Sequence, residues 1–205
     1  MHAATLGGFA GGKVRMRYSF KHPAKTDVAG TRRLVHAARD AGVAHLVYVS
    51  IVGIDRVQFG YFKHKLQAEQ IVAGCGVPFT ITRATQFHEF VDAVIRYSVR
   101  FPMPVLTRDW RTQPIEAGDA AALIAGHAAA KPVGGIVDYG GPETMTLGEA
   151  ADVWLEARGD RRRIRNVRVP GRRSRALGDG VMCTANRSGT ITWHEWLRAH
   201  AKEES

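Results

Sequence analysis

The residues from Ala44 to Glu69 constrain this chain most: AHLVYVS, then IVGIDRVQFG, then YFKHKLQAE. His45-Leu46-Val47-Tyr48-Val49 is too short for a helix and rich in β-branched and aromatic residues, the pattern of a buried parallel strand. Ser50 closes it. A loop carrying Gly53 and Gly60 follows, and Tyr61 then opens a helix-forming segment with Lys65 one turn on. That spacing puts both side chains on one helix face. A hydroxyl at a strand end, a phenol and an ammonium can thus converge at the carboxyl edge of a parallel sheet, where open α/β sheets bind ligands.

The rest of the chain repeats the same alternation. Thr26–Ala41 reads as an amphipathic helix, capped by Thr26 or Asp27, burying Val28, Leu34, Val35 and Ala38, and stopped by Gly42. The strand at 44–50 follows, then a helix from Tyr61 to Val72 stopped by Gly74 and Gly76, then a strand at 79–82. This βαβ unit makes the sheet parallel. Further on the pattern predicts helices over 87–99 and 119–130, the latter opened by Asp119, and a strand at 134–139. A helix capped by Thr146 with Glu149 three residues on follows, then a strand at 164–169, irregular chain over 171–190, and a last helix capped by Thr192. The order predicts a partial doubly wound parallel sheet, an α/β fold with a small C-terminal α+β region. The expected division is 1–139 for the sheet domain and 140–205 for a C-terminal region interleaved with it.

The 205 residues carry a net charge of +10. Nine arginines fall between Arg158 and Arg175. They could follow phosphates, but no nucleic-acid fold motif or aromatic interleaving accompanies them, so a solvated basic surface is the favoured reading over a nucleic-acid partner. No apolar run reaches membrane-spanning length and the N-terminus does not read as a signal peptide. Cys75 and Cys183 have neither metal nor disulfide-framework spacing, and a reduced, cytoplasmic setting is expected. No histidine pair has metal-site spacing with a carboxylate, so no metal is expected. Gly7-Gly8 and Gly11-Gly12 fit no phosphate-loop motif. Trp110, Trp193 and Trp196 could line a site, but core packing is favoured for each.

A free tyrosine, with a pKa of about 10, is a poor acid at neutral pH. An ammonium one helical turn away favours its phenolate and makes Tyr61 usable as a proton donor or acceptor. Ser50 could fix a substrate carbonyl or alcohol beside it, and Lys65 could hold the ribose hydroxyls of a nicotinamide nucleotide. The chemistry that follows is hydride transfer, with the cofactor supplying the hydride. The spacing alone also suits a packing tyrosine and a surface lysine; its place after a strand ending in Ser50 is what raises it.

These residues, with Asp27-Val28-Ala29-Gly30-Thr31, Leu34-Val35, Gly42-Val43, Ala68-Glu69, Pro78 through Phe87, and Gly140-Gly141-Pro142-Glu143 before Thr146-Leu147, resemble the atypical short-chain dehydrogenase/reductases. The group is the NmrA-like one, which includes an accessory subunit of NADH–ubiquinone oxidoreductase. The resemblance implies a Rossmann-type sheet and a dinucleotide cofactor, NAD or NADP, with NADP favoured. It implies an oxidoreductase acting on a small carbonyl, alcohol or quinone-like substrate, or else a non-catalytic dinucleotide-binding sensor or scaffold. It places Tyr61, Lys65 and Ser50 on the family's catalytic residues. Ala3, Ala4 and Thr5 fall beside the adenosine half, Ala84, Thr85 and Gln86 beside the nicotinamide, and Phe87 and His88 towards substrate. Oligomeric state stays open.

The family's opening strand, GxxGxxG turn, following helix and ribose-reading residue have no counterpart in this sequence. The chain begins where the fourth strand should end. The pyrophosphate's usual anchor is therefore absent, and a strand from the middle of the sheet becomes an edge. Either the natural protein extends before Met1 or the chain is a decayed fragment, inactive as it stands.

Overall fold

The structure, a computed structural model, describes residues 9–10, 13–14, 28–57 and 60–200. Its strands are β1 (Phe9–Ala10), β2 (Lys13–Val14), β3 (Leu46–Ile51), β4 (Phe79–Ala84), β5 (Val105–Leu106), β6 (Arg111–Thr112), β7 (Ile136–Tyr139), β8 (Met145–Thr146) and β9 (Arg165–Asn166). Its helices are α1 (Thr31–Asp40), α2 (Tyr61–Ala73), α3 (His88–Ser98), α4 (Ala117–Ala129), α5 (Leu147–Ala157), α6 (Arg172–Gly178) and α7 (Trp193–His200). The chain forms two compact units: Met1–Ala84 with Ala121–Asp138, and Thr85–Ala120 with Tyr139–Ser205.

The first unit holds the expected βαβ element. β3 and β4 pair in parallel, from Leu46 opposite Phe79 to Ile51 opposite Ala84. β7 joins the other side of β4, giving the order β3-β4-β7. The Gly134 N–H donates to Phe79 O and the Ile81 N–H to Gly135 O, so both segments advance in the same direction. Alternation sets the faces: Leu46, Tyr48, Phe79 and Ile81 point towards the helices and pack with Val35 of α1 and Val72 of α2. Among the described residues β3 is an edge of this sheet.

α1 is shorter than its periodicity predicts. A π-helical turn at 28–30 precedes it, and Gly30 caps it without a side-chain bond. Thr26 and Asp27, the expected caps, lie outside the described residues. Val35 and Ala38 are buried as expected, while Leu34 is half-buried. The helix ends in a Schellman motif: Gly42, at φ 62°, donates to Arg39 O, and Val43 donates to Ala38 O.

The second unit packs α3, α5 and α7 around Val91, Ile95, Trp154, Trp193 and Leu197. Thr146 forms the expected capping box with Glu149 at the start of α5. Thr192 and Glu195 exchange the same pair of bonds at the start of α7. Three local expectations need correction. Asp119 does not open α4; Glu116 accepts the Asp119 N–H, and the Asp119 carboxylate instead accepts from the Thr190 and Ile191 N–H groups. The strand expected at 164–169 shrinks to β9, because only that stretch finds a partner, in β5. The region read as irregular contains α6, which lacks an apolar period and is tied down by the Trp110 indole N–H donating to Ser174 Oγ. No described helix is long and apolar enough to cross a membrane.

Candidate active site

Ser50 is the penultimate residue of β3, 3% exposed, in register with Arg83 of β4. Its Oγ has no hydrogen-bond partner among the described residues. A buried hydroxyl without a partner costs about 1–3 kcal/mol, so this atom is a place where a ligand oxygen would be stabilised.

Gly60 precedes α2 with φ 45°, a conformation that favours glycine. Tyr61 is the first helical residue, half-buried, with its ring 6.4 Å from that of Phe62. Lys65, one turn further, is only 2% exposed. Its ammonium donates to Val49 O at 2.8 Å and sits 4.4 Å over the Tyr48 ring. The helix thus delivers a cation to the peptide that joins Val49 to Ser50, at the carboxyl end of β3.

A charged cluster beside these residues was not foreseen. Arg83, 7% exposed, makes a two-pronged bond to Glu69, at 2.9 and 2.7 Å, and approaches Asp55 at 3.2 Å. The Glu69 bond is the main cause that raises the guanidinium's pKa. Burial pushes the nearby Asp138 carboxyl upward, against the pull of Arg83. Two signals for this cluster were present: an arginine in the otherwise apolar and β-branched run Phe79–Ala84, and a glutamate one turn after Lys65. Lys65 and Glu69 together clamp α2 to two neighbouring strands. Ala84 ends β4, 5% exposed, with its carbonyl accepting the Val52 N–H.

The other expected residues belong to the second unit. Thr85 is buried; its hydroxyl donates to Gln113 O at 2.5 Å. The Gln86 amide oxygen accepts from Thr112 Oγ1 and the Gln113 N–H, and its NH₂ donates to Met182 O. Gln113, fully buried and not anticipated, donates to Gly141 O and accepts the Thr184 N–H. Thr85 and Gln86 are therefore held inside a web of loop contacts. Phe87 is the half-buried N-cap of α3. His88 is completely buried, its ring 5.6 Å from those of both Trp193 and Trp196. Burial lowers its pKa to about 4, and neither ring nitrogen has a partner among the described residues. Trp193 and Trp196 pack in the core of this unit. Ala3, Ala4 and Thr5 lie outside the described residues. No group of three or more His, Cys, Asp and Glu side chains among the described residues is arranged to hold a metal ion.

No protein-family model and no curated protein sequence matches the chain. Solved structures do. An NADPH-dependent quinone oxidoreductase from Escherichia coli, in complex with NADPH, aligns at a TM-score of 0.73 and 17% identity, over 86% of this chain and 72% of that one. A UDP-galactose 4-epimerase aligns at a TM-score of 0.64 and 18% identity, over 100% of this chain and 84% of its own. A dTDP-glucose 4,6-dehydratase from Bacillus anthracis, in complex with NAD, aligns at 0.66 and 16% identity, over 87% and 67%. The chain has a Rossmann-type fold. In a Rossmann fold ligands lie outside the carboxyl ends of the strands, and Ser50, Ile51 and Ala84 stand at those ends of β3 and β4. The Rossmann glycine turn that would cradle a pyrophosphate is not among the described residues.

Proposed function

We propose that this chain is an NAD(P)-dependent oxidoreductase acting on a small carbonyl, alcohol or quinone-like substrate, with NADP the favoured cofactor. The observation that carries the reading is the buried Lys65 ammonium held at the Val49–Ser50 peptide, beside a buried Ser50 hydroxyl that has no partner among the described residues. Tyr61 one turn away completes the set. The fold's likeness to an NADPH-dependent quinone oxidoreductase and an NAD-bound dehydratase supports it.

In this reading the dinucleotide, when bound, supplies the hydride. Ser50 Oγ donates to the substrate oxygen and orients it. Tyr61 gives its phenolic proton to that oxygen as negative charge develops there. Lys65 lowers the cost of the phenolate left behind and offers its ammonium to the ribose hydroxyls. The Glu69–Arg83 pair holds the helix that carries Tyr61 and Lys65.

A second reading is a non-catalytic dinucleotide-binding module. It is favoured by the burial of Lys65 and the engagement of its ammonium by Val49 O. Titration of the chain with NADPH and NADH, following thermal midpoint and nicotinamide fluorescence together, tests binding, since a ligand of the folded state raises the midpoint. Turnover on quinones and carbonyls then separates the readings. Tyr61→Phe is expected to lower kcat about 100-fold or more while the NADPH-dependent midpoint shift persists. A phenylalanine variant with full turnover sinks the role of Tyr61, and binding without any turnover favours the second reading.

A further inference from the structure

The arginine cluster takes no part in this chemistry, and seven of its nine members divide into two kinds. Arg158 pairs with Asp92 and lies over the Trp154 ring at 4.2 Å, and Arg162 pairs with Asp160 and donates to Val99 O. These two are structural. Arg163 and Arg165 are exposed and form no ion pair among the described residues, and the same holds for Arg172, Arg173 and Arg175 on and beside the first turn of α6.

The ribbon of β5 and β9 gives Arg163 and Arg165 a setting. Val105 pairs with Arg165 and Leu106 with Asn166, in parallel. Paired residues share a face and successive residues alternate. Pro104, Leu106 and Ile164 are buried. The alternate positions are open: Met103 is 70% exposed, Val105 47% and Val167 41%. Val105 and Arg165 therefore lie side by side on the open face of the ribbon, with Met103, Arg163 and Val167 exposed in the chain just beyond it.

Scattered exposed apolar residues need no explanation, but a contiguous set marks an interaction site. The guanidiniums call for anions in the partner. The aliphatic side chains call for an apolar medium at the same level. A nucleic-acid backbone would satisfy the first demand and leave Met103, Val105 and Val167 in water, since strand binding relies on aromatic platforms. An anionic phospholipid surface satisfies both, with arginines at the headgroups and aliphatic side chains at the acyl boundary.

We infer that the β5/β9 face docks this chain peripherally on anionic phospholipid bilayers. The inference is independent of the proposed oxidoreductase activity. The test is cosedimentation of the full chain with vesicles of phosphatidylcholine, with and without about one-third phosphatidylserine, across a salt series. Binding should require phosphatidylserine and weaken as salt rises. Each arginine near such a surface is worth about a fivefold factor in partitioning, so R163E/R165E should reduce it by about 25-fold or more. Met103→Ser with Val167→Ser should weaken binding without changing its salt dependence. All four sites are exposed, and an unchanged thermal midpoint confirms that the variants fold. Equal binding to both vesicle types overturns the inference, as does wild-type binding by R163E/R165E. Duplex DNA binding that depends on Arg163 and Arg165, with no vesicle binding, overturns it in favour of a nucleic-acid partner.

Discussion

At the scale of single residues, three buried ionisable groups decide the most. Glu69 and Arg83 neutralise each other where neither could be solvated, with side chains 4% and 8% exposed. Removing Glu69 leaves the buried Arg83 with only the exposed Asp55 carboxylate, so Glu69→Ala should destabilise the fold by about 3 kcal/mol in denaturant unfolding. The double change Glu69→Leu with Arg83→Met should cost less than the single one, because no buried charge is then left alone. His88 acts through protonation. The unfolded chain takes up its proton near the ordinary histidine value of about 6.5, the folded unit only at about 4. Between those values the unfolded state binds more protons, so stability falls as pH drops through that window, by about 3 kcal/mol at most. Unfolding midpoints read by tryptophan fluorescence should show that slope, and His88→Phe should flatten it. The four-residue step from Tyr61 to Lys65 was readable in advance. What holds Lys65 was not, because Val49 O and the Tyr48 ring reach it from another element.

At the scale of elements, local signals served where the element is long enough to carry them. β3, β4, α2, α3 and α5 match the alternation and periodicity of their residues to within a residue or two at each end. The capping box at Thr146 was written in the spacing to Glu149, and it stands. Thr146→Ala should cost about 1 kcal/mol, seen as a lowered unfolding midpoint and faster amide exchange in the first turn of α5. The two-residue strands carry no comparable pattern. β9 exists because Pro104 O and Leu106 O, beside and in β5, accept the Arg165 and Val167 N–H groups across sixty residues of chain. α6 was missed for a related reason: RRSRALG shows no apolar stripe, and its anchor is a distant indole. Asp119 looked like a cap by position, yet the Thr190–Ile191 backbone took its carboxylate.

At the scale of the whole molecule, net charge and the β3 edge of the described sheet oppose each other. β3 has β4 on one side and no strand on the other among the described residues, and such an edge templates pairing with another chain. The net charge of +10 holds copies apart. Salt screens that repulsion, with a Debye length of about 30 Å at 0.01 M and about 3 Å at 1 M. Light scattering of the chain should therefore grow with ionic strength. Val47→Lys, which places a charge on the edge strand, should suppress that growth while leaving circular dichroism unchanged.

What the sequence determined by itself is the order of β3, α2 and β4, the parallel sense of β3 and β4, the glycine stop after α1 and the helical step from Tyr61 to Lys65. These depend on side-chain alternation, backbone freedom at Gly42 and Gly60, and the pitch of a helix, all of which act over a few residues. Only the tertiary structure decided which charge meets which. Arg83 found Glu69 and Asp55, Gln113 found Gly141 and Thr184, and His88 settled beside the stacked rings of Trp193 and Trp196. Burial forces each polar group to find whatever partner the packed chain brings near, and that partner's position is a property of the assembled fold.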